Sequence, residues 1–231
     1  MLYTGTFTDT SEPECTVERV YIAGAGGGGQ ELLSCIWGSV DGPGQPRFAG
    51  FLDSDPDGAG RLLAEKGLDY PVVSPQQAAE VPGSGFLIAV ADPTAKERFY
   101  GELVALGMTP CGFIHGDAII GLRIRMGEGC LMFPRTAATI NVTMGRAVMV
   151  NLGCTLGHDS SAGDFTTFFG ANEINGSVRV GTRVVFGSGA VTHPRISIGD
   201  DAVVGIGSVV VRSVPAGTSV FGNPAKRLQA R

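Results

Sequence analysis

Hydrophobic residues in the second half of the chain recur at a constant spacing of six. From Ile120 onward in steps of six, fifteen of sixteen positions are apolar, and Thr192 is the exception. The series is Ile120, Met126, Met132, Ala138, Met144, Val150, Leu156, Ala162, Phe168, Ile174, Val180, Phe186, Thr192, Ile198, Val204 and Val210. Glycine follows these positions nine times, from Gly121 to Gly205. Neither an α-helix nor a simple alternating strand has this period.

This spacing predicts a solenoid of short strands separated by regular corners. Three six-residue faces make one coil of about eighteen residues, and the apolar residues of successive coils stack as a continuous core. The residue four places on is also small or apolar in most steps, as expected inside a narrow prism. Residues 120–214 would form about five such coils. The alternative is a glycine-rich β-sandwich with accidental spacing.

The first half begins with a pattern typical of a phosphate-binding turn. Residues 18–23 are predicted to form a strand, a glycine-rich turn follows, and the segment Gln30 to Trp37 is compatible with a helix. Gly24, Gly26 and Gly29 fit the spacing G-x-G-x-x-G. Backbone N–H groups at a helix start suit a pyrophosphate. A purely structural turn and an NAD site remain alternatives.

Further strands and a helix extend this half as a parallel α/β unit. "FAGFLDSD" is predicted to be a strand that ends in Asp53 and Asp55, whose carboxylates can accept hydrogen bonds from a ribose or a base. Residues 85–92 read as another strand, followed by a helix that Gly107 ends. About 110 residues are too few for a full dinucleotide fold with its own substrate domain.

Composition excludes several classes of function. Among 231 residues, 43% are hydrophobic and 36 are glycine, which predicts a globular protein that turns often. Seventeen basic against 22 acidic residues disfavour nucleic acid or an anionic membrane as the main partner. No stretch is long and apolar enough to span a membrane and no signal peptide is recognisable, so a cytoplasmic location is expected. Five cysteines without a C-x-x-C pair favour reduced, mostly buried thiols.

The chain after its first fifteen or so residues resembles the sialic acid O-acetyltransferase NeuD / PglD family of sugar acyltransferases with hexapeptide repeats. The resemblance rests on the repeat, on "GAGGGG" and "FLD" in the first half, on "HDSSAGDF" from His158 to Phe165, and on the closing "SVPAGTSVFGNPAK". It implies an α/β N-terminal Rossmann-like nucleotide-binding half-domain over residues 17–112. A left-handed parallel β-helix would follow over residues 113–231, and residues 1–16 are expected to form a flexible tail.

The resemblance also implies a set of site residues. His158 matches the catalytic base, and histidine's ordinary pKa near 6.5 suits proton transfer at neutral pH. Asp159 would orient the imidazole, Asn151 matches an active-site asparagine, and Gly176 would supply an oxyanion N–H. Acyl-CoA would contact Gly176, Thr167, Gly205 and Ile206. The nucleotide-linked sugar would contact Gly26, Gly27, Gly29, Asp53 and Asp55.

Two departures from the family pattern and several alternatives accompany these assignments. Gly28 and Thr167 stand where the family usually has histidines. His158 could also be an ordinary surface histidine, whereas His115 and His193 are interpreted as structural. The three histidines lie 43 and 35 residues apart, without the close pair of a β-helix carbonic anhydrase, so no metal is expected. The position of Cys154 in the six-residue repeat predicts a buried thiol. Direct attack by the bound amine needs no nucleophile of the enzyme.

The predicted function is an acetyl-CoA-dependent N-acetyltransferase acting on a nucleotide-linked 4-amino-dideoxy sugar in glycan biosynthesis. O-acetylation of a sugar hydroxyl and a catalytically silent sugar-nucleotide-binding scaffold are the alternatives. The resemblance further implies a homotrimer with acyl-CoA held between neighbouring prisms.

Overall fold

The computed structural model describes residues 1–10 and 14–228. Residues 11–13, part of the expected tail, and residues 229–231, the end of the expected β-helix, lie outside the described part of the chain. The helices are α1 (Gly27–Ile36), α2 (Pro56–Glu65), α3 (Pro75–Ala79) and α4 (Pro93–Ala105), with a 3-10 turn at Trp37–Ser39. The strands of the first half are β1 (Leu2–Thr4), β2 (Phe7–Thr8), β3 (Arg19–Ala23), β4 (Arg47–Leu52), β5 (Val72–Val73), β6 (Ser84–Ile88) and β7 (Thr109–Ile114).

The second half consists of short strands. They are β8 (Ile119–Leu122), β9 (Arg125–Met126), β10 (Leu131–Met132), β11 (Ala137–Ile140), β12 (Thr143–Met144), β13 (Met149–Val150), β14 (Thr155–Leu156), β15 (Ser161–Ala162), β16 (Thr167–Phe168), β17 (Glu173–Ile174), β18 (Arg179–Val180), β19 (Val185–Phe186), β20 (Val191–Thr192), β21 (Ser197–Ile198), β22 (Val203–Val204), β23 (Val209–Val210), β24 (Ser219–Phe221) and β25 (Lys226–Arg227).

The first half folds as a parallel sheet with helices between its strands. The strand order is β7-β6-β3-β4-β5, so the chain starts in the middle and winds outward in both directions. The side chains of Asp55, Ser74 and Asp92 cap α2, α3 and α4, whereas α1 starts at Gly26 without a side-chain cap. The expected strands and the helices α1 and α4 are present. The helices α2 and α3 and the strand β5 carried no pattern that the sequence analysis detected.

The second half is a three-faced coil, as the period of six predicts. Face 1 contains β7, β10, β13, β16, β19, β22 and β24, face 2 contains β8, β11, β14, β17, β20 and β23, and face 3 contains β9, β12, β15, β18 and β21. Neighbouring strands on each face are parallel and shifted by eighteen residues, for example Leu131 opposite Met149, except that β24 pairs with β22 at a shift of sixteen. The apolar series forms one core, with Ile120 packed at its edge.

The corners between the faces repeat as regularly as the strands. At every sixth residue from Arg123 to Gly207 the backbone φ lies between +48° and +75°, in the left-handed region. This single residue turns the chain by one corner. Thr192, the polar exception in the series, is buried, and its hydroxyl accepts a hydrogen bond from the N–H of Asn175 at 3.0 Å. The core therefore tolerates Thr192 because its polar atom has a partner.

The strand β7 joins the two halves into one structure. Its first residues pair with β6, through Gly85 and Thr109, and its last residues pair with β10, through Phe113 and Leu131. Face 1 of the coil therefore continues the sheet of the first half. The outward side chains of Leu131 and Met149 lie in the same core as α1, so the first half covers this part of face 1.

A buried lysine fixes α4 against the coil. Lys96 has no exposed surface, and its Nζ donates to the carbonyl oxygens of Ala147 (3.1 Å) and Thr166 (3.3 Å) and to Oγ1 of Thr167 (2.8 Å). The Thr167 hydroxyl in turn donates to the carbonyl of Ala91 at 2.9 Å. Burial lowers the pKa of Lys96 to about 7, against the smaller opposing effects of Cys130 and Asp92.

The N-terminal residues are ordered strands, in contrast to the expected flexible tail. β1 pairs antiparallel with β7, and β2 pairs antiparallel with β9 at the start of face 3. Tyr3 and Phe7 are buried in the core of the coil. Together with the buried Leu2, these two aromatic residues anchor a segment whose remaining residues are mostly polar. No helix in the described ranges is long and apolar enough to cross a membrane.

Candidate active site

His158 and Asp159 form a hydrogen-bonded pair at an exposed corner of the coil. The corner lies between faces 2 and 3, after β14, and both side chains are more than half exposed. His158 Nδ1 lies 2.8 Å from Asp159 Oδ2. Because an ionised carboxylate can only accept, Nδ1 carries the hydrogen, and in the neutral form of the ring Nε2 is the nitrogen with a lone pair. The expected pairing of these residues is therefore present, and it leaves Nε2 able to accept a proton.

A second hydrogen bond fixes the Asp159 carboxylate. Asn141, one coil earlier, donates from Nδ2 to Asp159 Oδ1 at 2.6 Å. The hydrogen bonds from His158 and then Asn141 hold the pKa of the Asp159 carboxyl below its usual range, so it stays ionised. Asp159 also occupies the left-handed corner position, with φ +60°, which aspartate tolerates better than most residues. Sequence reasoning missed Asn141. Its position eighteen residues, or one coil, before Asp159 could have indicated that the two side chains lie side by side.

Gly176 lies directly against the imidazole of His158, one coil further on. A Cβ at this position would overlap Nε2 and would lie 2.6 Å from Cε1 of the ring. The absence of a side chain is therefore what lets the ring lie here. Within the described residues, the backbone N–H of Gly176 makes no hydrogen bond. A backbone N–H without an acceptor therefore lies next to the imidazole ring.

Asn151, Gly205 and Ile206 lie at another corner. This corner, between faces 1 and 2, is separated from His158 by β14. The Asn151 amide donates to Glu31 of α1 at 3.4 Å, and its Oδ1 accepts from the N–H of Leu152 at 2.6 Å. Ile206 is 64% exposed, three coils further along the same corner. A single chain therefore does not bring these residues to the imidazole.

Thr167 cannot contact acyl-CoA in this structure, which corrects the assignment based on the resemblance. It points outward from face 1, where α4 covers it, and its side chain is fully buried. Its hydroxyl is used twice, as a donor to Ala91 and an acceptor from Lys96. The position nine residues after His158 thus connects the two halves of the molecule.

The glycine turn presents backbone amides at the start of α1. Gly26, Gly27 and Gly28 are exposed, whereas Gly29 is buried. A Cβ on Gly29 would overlap the carbonyl oxygen of Gly24, and one on Gly28 would lie 2.8 Å from the carbonyl oxygen of Ala89. Gly29 therefore allows the helix to pack closely on the turn and does not offer a surface to a ligand. In this chain a side chain at position 28 would therefore require the turn or Ala89 to shift.

A cavity of about 210 Å³ opens beside this turn, at the carboxyl ends of β3, β4 and β6. Its lining residues are Gly24, Asp53, Ser54, Val90, Ala95, Arg98, Phe99 and Glu102. Asp53 accepts the N–H of Asp55 at 3.1 Å. Asp55 does not line the cavity, because its carboxylate caps α2 through the N–H of Gly58 at 3.1 Å. Asp53, expected from the sequence to contact the nucleotide, lines the cavity, whereas Asp55 is a helix cap. Sequence reasoning did not single out Arg98 and Glu102 on α4.

The remaining histidines and Cys154 have structural contacts. His115 Nδ1 accepts the N–H of Asp117 at 3.1 Å, and His193 Nδ1 lies 2.9 Å from the carbonyl oxygen of Pro194. Cys154 is buried in the core, its thiol donates to the carbonyl of Phe169, and burial raises its pKa to about 11. Over the described residues, no group of three or more histidine, cysteine or acidic side chains could hold a metal ion.

A three-faced parallel coil with an exposed histidine-carboxylate pair at one corner defines the class of left-handed β-helix acyltransferases. The comparisons with known proteins agree. No family model matches the chain. GDP-perosamine N-acetyltransferase of Escherichia coli O157:H7 is 30% identical over 149 residues, which are 62% of this chain and 67% of that protein. The chain therefore belongs to the family of sugar N-acetyltransferases and is an acyltransferase.

Two solved structures support the same relationship over nearly the whole length. One is a histidine-to-asparagine variant of perosamine N-acetyltransferase from Caulobacter crescentus in complex with CoA and GDP-perosamine. It is 26% identical with a TM-score of 0.75, and the match covers 92% of this chain and 97% of that one. The other is WeeI from Acinetobacter baumannii AYE, 28% identical with a TM-score of 0.78, covering 91% and 99%.

Proposed function

We propose that the protein transfers the acetyl group of acetyl-CoA to the amine of a nucleotide-linked 4-amino-dideoxy sugar. The observation that carries the proposal is the free Nε2 of His158 beside the free N–H of Gly176. The N-acetyltransferase relatives, one of which holds CoA and GDP-perosamine, support this choice of donor and acceptor.

The proposed reaction is a direct transfer. The sugar nitrogen attacks the thioester carbonyl carbon, and Nε2 of His158 takes the proton that the nitrogen loses. The N–H of Gly176 donates to the oxygen that becomes negative in the tetrahedral intermediate. When the intermediate collapses, the carbon–sulfur bond breaks and the proton on Nε2 passes to the departing thiolate. Asp159 keeps the imidazole in the tautomer that this sequence of steps requires.

The first half of the chain is proposed to be a Rossmann-like unit that holds the nucleotide. The order of its parallel strands reverses at β3, and the cavity lies outside their carboxyl ends, where open α/β sheets bind ligands. The exposed amides of Gly26, Gly27 and Gly28 and the dipole of α1 suit a pyrophosphate. Asp53 is proposed to accept hydrogen bonds from the ribose or the base.

We further propose that the site is completed between copies of the chain in a homotrimer. His158 lies at the corner opposite face 1, which the chain's own nucleotide unit covers. A neighbouring copy would bring Asn151, Gly205 and Ile206 to this corner, so that acyl-CoA lies between two prisms. Light scattering tests this arrangement, and a stable monomer would contradict it.

The assay that tests the function measures CoA release with matched acceptors. We expect turnover with acetyl-CoA and GDP-perosamine and none with the corresponding 4-hydroxy sugar nucleotide. UDP- and dTDP-linked 4-amino sugars test which nucleobase the protein recognises. Turnover only with hydroxyl acceptors such as sialic acid would favour the O-acetyltransferases of the original resemblance. A protein that binds the sugar nucleotide but releases no CoA would be a scaffold.

Gly176→Ala is expected to lower kcat by roughly 10²-fold, because the new methyl group displaces the imidazole from its position. Gly116→Ala is the matched control, since a Cβ there meets no atom within 4 Å. Steady-state kinetics of both variants, with circular dichroism to verify folding, measure the effect. An unchanged kcat in Gly176→Ala would show that the ring position does not matter for the reaction.

Asp53→Asn is expected to raise the KM for the sugar nucleotide by about 10- to 100-fold with little change in kcat. The reason is that a hydrogen bond to a charged group contributes about 1.5–3 kcal/mol. Asp55→Asn is the control, because asparagine also caps helices well. Equal KM values in both variants would place the nucleotide elsewhere.

A further inference from the structure

A second cavity, of about 290 Å³, lies at the amino ends of the strands in the first half, opposite the proposed nucleotide site. It is lined by Arg19 and Arg47, the first residues of β3 and β4, and by Trp37, Asp41 and Tyr70. β3 runs from Arg19 to the glycine turn, so roughly 16 Å of strand separates this cavity from the proposed nucleotide site. The reaction proposed above makes no use of it.

The two arginines are placed side by side, and neither is ion-paired. Arg19 and Arg47 are direct partners on adjacent parallel strands, so their Cα atoms are about 4.8 Å apart and their side chains leave the same face. Within residues 1–10 and 14–228, neither guanidinium makes an ion pair or a hydrogen bond. Like charges on directly opposed residues of adjacent strands are destabilising unless an anion lies between them.

Arg19 also has a polar atom that lacks a partner. Its Nε is buried and makes no hydrogen bond. Buried N–H groups in native proteins are nearly always paired, so an unpaired one points to a missing group. Asp41 is the only carboxylate lining the cavity, and its Oδ1 already accepts the N–H of Phe48 at 3.1 Å. The cavity therefore keeps a net positive charge, and the Nε–H of Arg19 remains without an acceptor.

We propose that the Arg19–Arg47 cavity binds the phosphate group of a small phosphorylated ligand. Paired guanidinium groups match phosphate oxygens in geometry and charge, and an anion here would satisfy Nε and relieve the repulsion. Trp37 and Tyr70 also line the cavity, with their rings edge to face at an interplanar angle of 74°. The indole ring of Trp37 is 59% exposed and offers a face on which the ring of a nucleoside can stack. Inorganic pyrophosphate and a nucleoside diphosphate share the phosphate chemistry.

Trp37 makes the test direct, because it is the only tryptophan of the chain. Pyrophosphate and GDP are titrated separately into the full-length protein at constant ionic strength, and tryptophan fluorescence is recorded. We expect a saturable change with at least one of them. Tighter binding of GDP identifies the nucleoside as part of the ligand, and equal binding identifies the phosphate alone.

Arg47→Gln is the main variant, because Arg47 is exposed and its loss leaves the core intact. It and Arg19→Gln are expected to weaken binding at least tenfold, whereas Arg61→Gln on the exposed face of α2 leaves binding unchanged. Asp53→Asn should retain the tryptophan response even if its KM rises, which separates this cavity from the proposed nucleotide site. No saturable response to either ligand, or a response that survives in Arg47→Gln, would overturn the proposal.

Discussion

Replacing His158 with asparagine is expected to lower kcat for acetyl transfer by about 10²–10⁴-fold, the usual contribution of a general base. Asparagine can keep a hydrogen bond to Asp159 but offers no basic nitrogen beside Gly176. The residual rate would come from binding and from the Gly176 N–H, which the substitution leaves in place. Since the ring is exposed, the free energy of unfolding should change little.

His193→Asn is the matched control for this experiment. His193 is the other exposed histidine at the corner between faces 2 and 3, and its Nδ1 lies 2.9 Å from the carbonyl oxygen of Pro194. We expect normal kcat and KM in this variant. CoA release under saturating acetyl-CoA and GDP-perosamine measures both. If His158→Asn turns over as fast as the parent protein, His158 is an ordinary surface residue and the proposed mechanism is wrong.

The coil could be predicted from the sequence because its contacts are periodic. Each strand from β7 to β20 pairs with the one eighteen residues later, so every coil repeats the same local requirement for an apolar residue inside and a left-handed residue at the corner. The same spacing brings Asn141 to Asp159 and His158 to Gly176, because the two members of each pair are eighteen residues apart. A site formed by equivalent positions of successive coils can therefore be recognised from the spacing of its residues in the sequence.

The errors arose where the two halves of the molecule meet. The period predicts that Thr167 points outward, but it contains no information about which face α4 covers. The N-terminal segment is similar, because only a few aromatic residues show that β1 and β2 extend the two sheets. Asp55 illustrates a local ambiguity, since a carboxylate after a strand suits both a ribose and a helix cap.

Lys96 gave no signal in the sequence, yet it is expected to control how stability depends on pH. Burial lowers its pKa to about 7, whereas the unfolded chain keeps the ordinary value of 10.5. Between these values the unfolded chain holds a proton that the native protein has released. The free energy of unfolding therefore rises with pH, by up to about 1.4 kcal/mol per unit. This contribution is complete above pH 10.5 and is lost as the pH falls to 7.

The groups near Lys96 do not reverse the direction in which the free energy of unfolding changes with pH. Asp92, the cap of α4, and Cys130 in the coil are the titratable groups that act on Lys96 by their charge. Burial raises the pKa of Cys130 to about 12, so its thiol stays neutral over the relevant range. The Asp92 carboxylate favours the protonated amine, but burial outweighs it, because the pKa of Lys96 is lowered overall.

Lys96→Met should remove this pH dependence. Methionine fills much of the same space but cannot titrate, and the loss of the donor to Ala147 adds a cost that does not vary with pH. The difference in unfolding free energy between the parent protein and Lys96→Met should grow by about 2–3 kcal/mol from pH 7 to 9. Urea unfolding at pH 7, 8 and 9, followed by circular dichroism, measures it. Lys226→Met, on the exposed strand β25, should show no such growth. A constant difference for Lys96→Met would mean that Lys96 stays protonated in the native protein, held by its three oxygen acceptors.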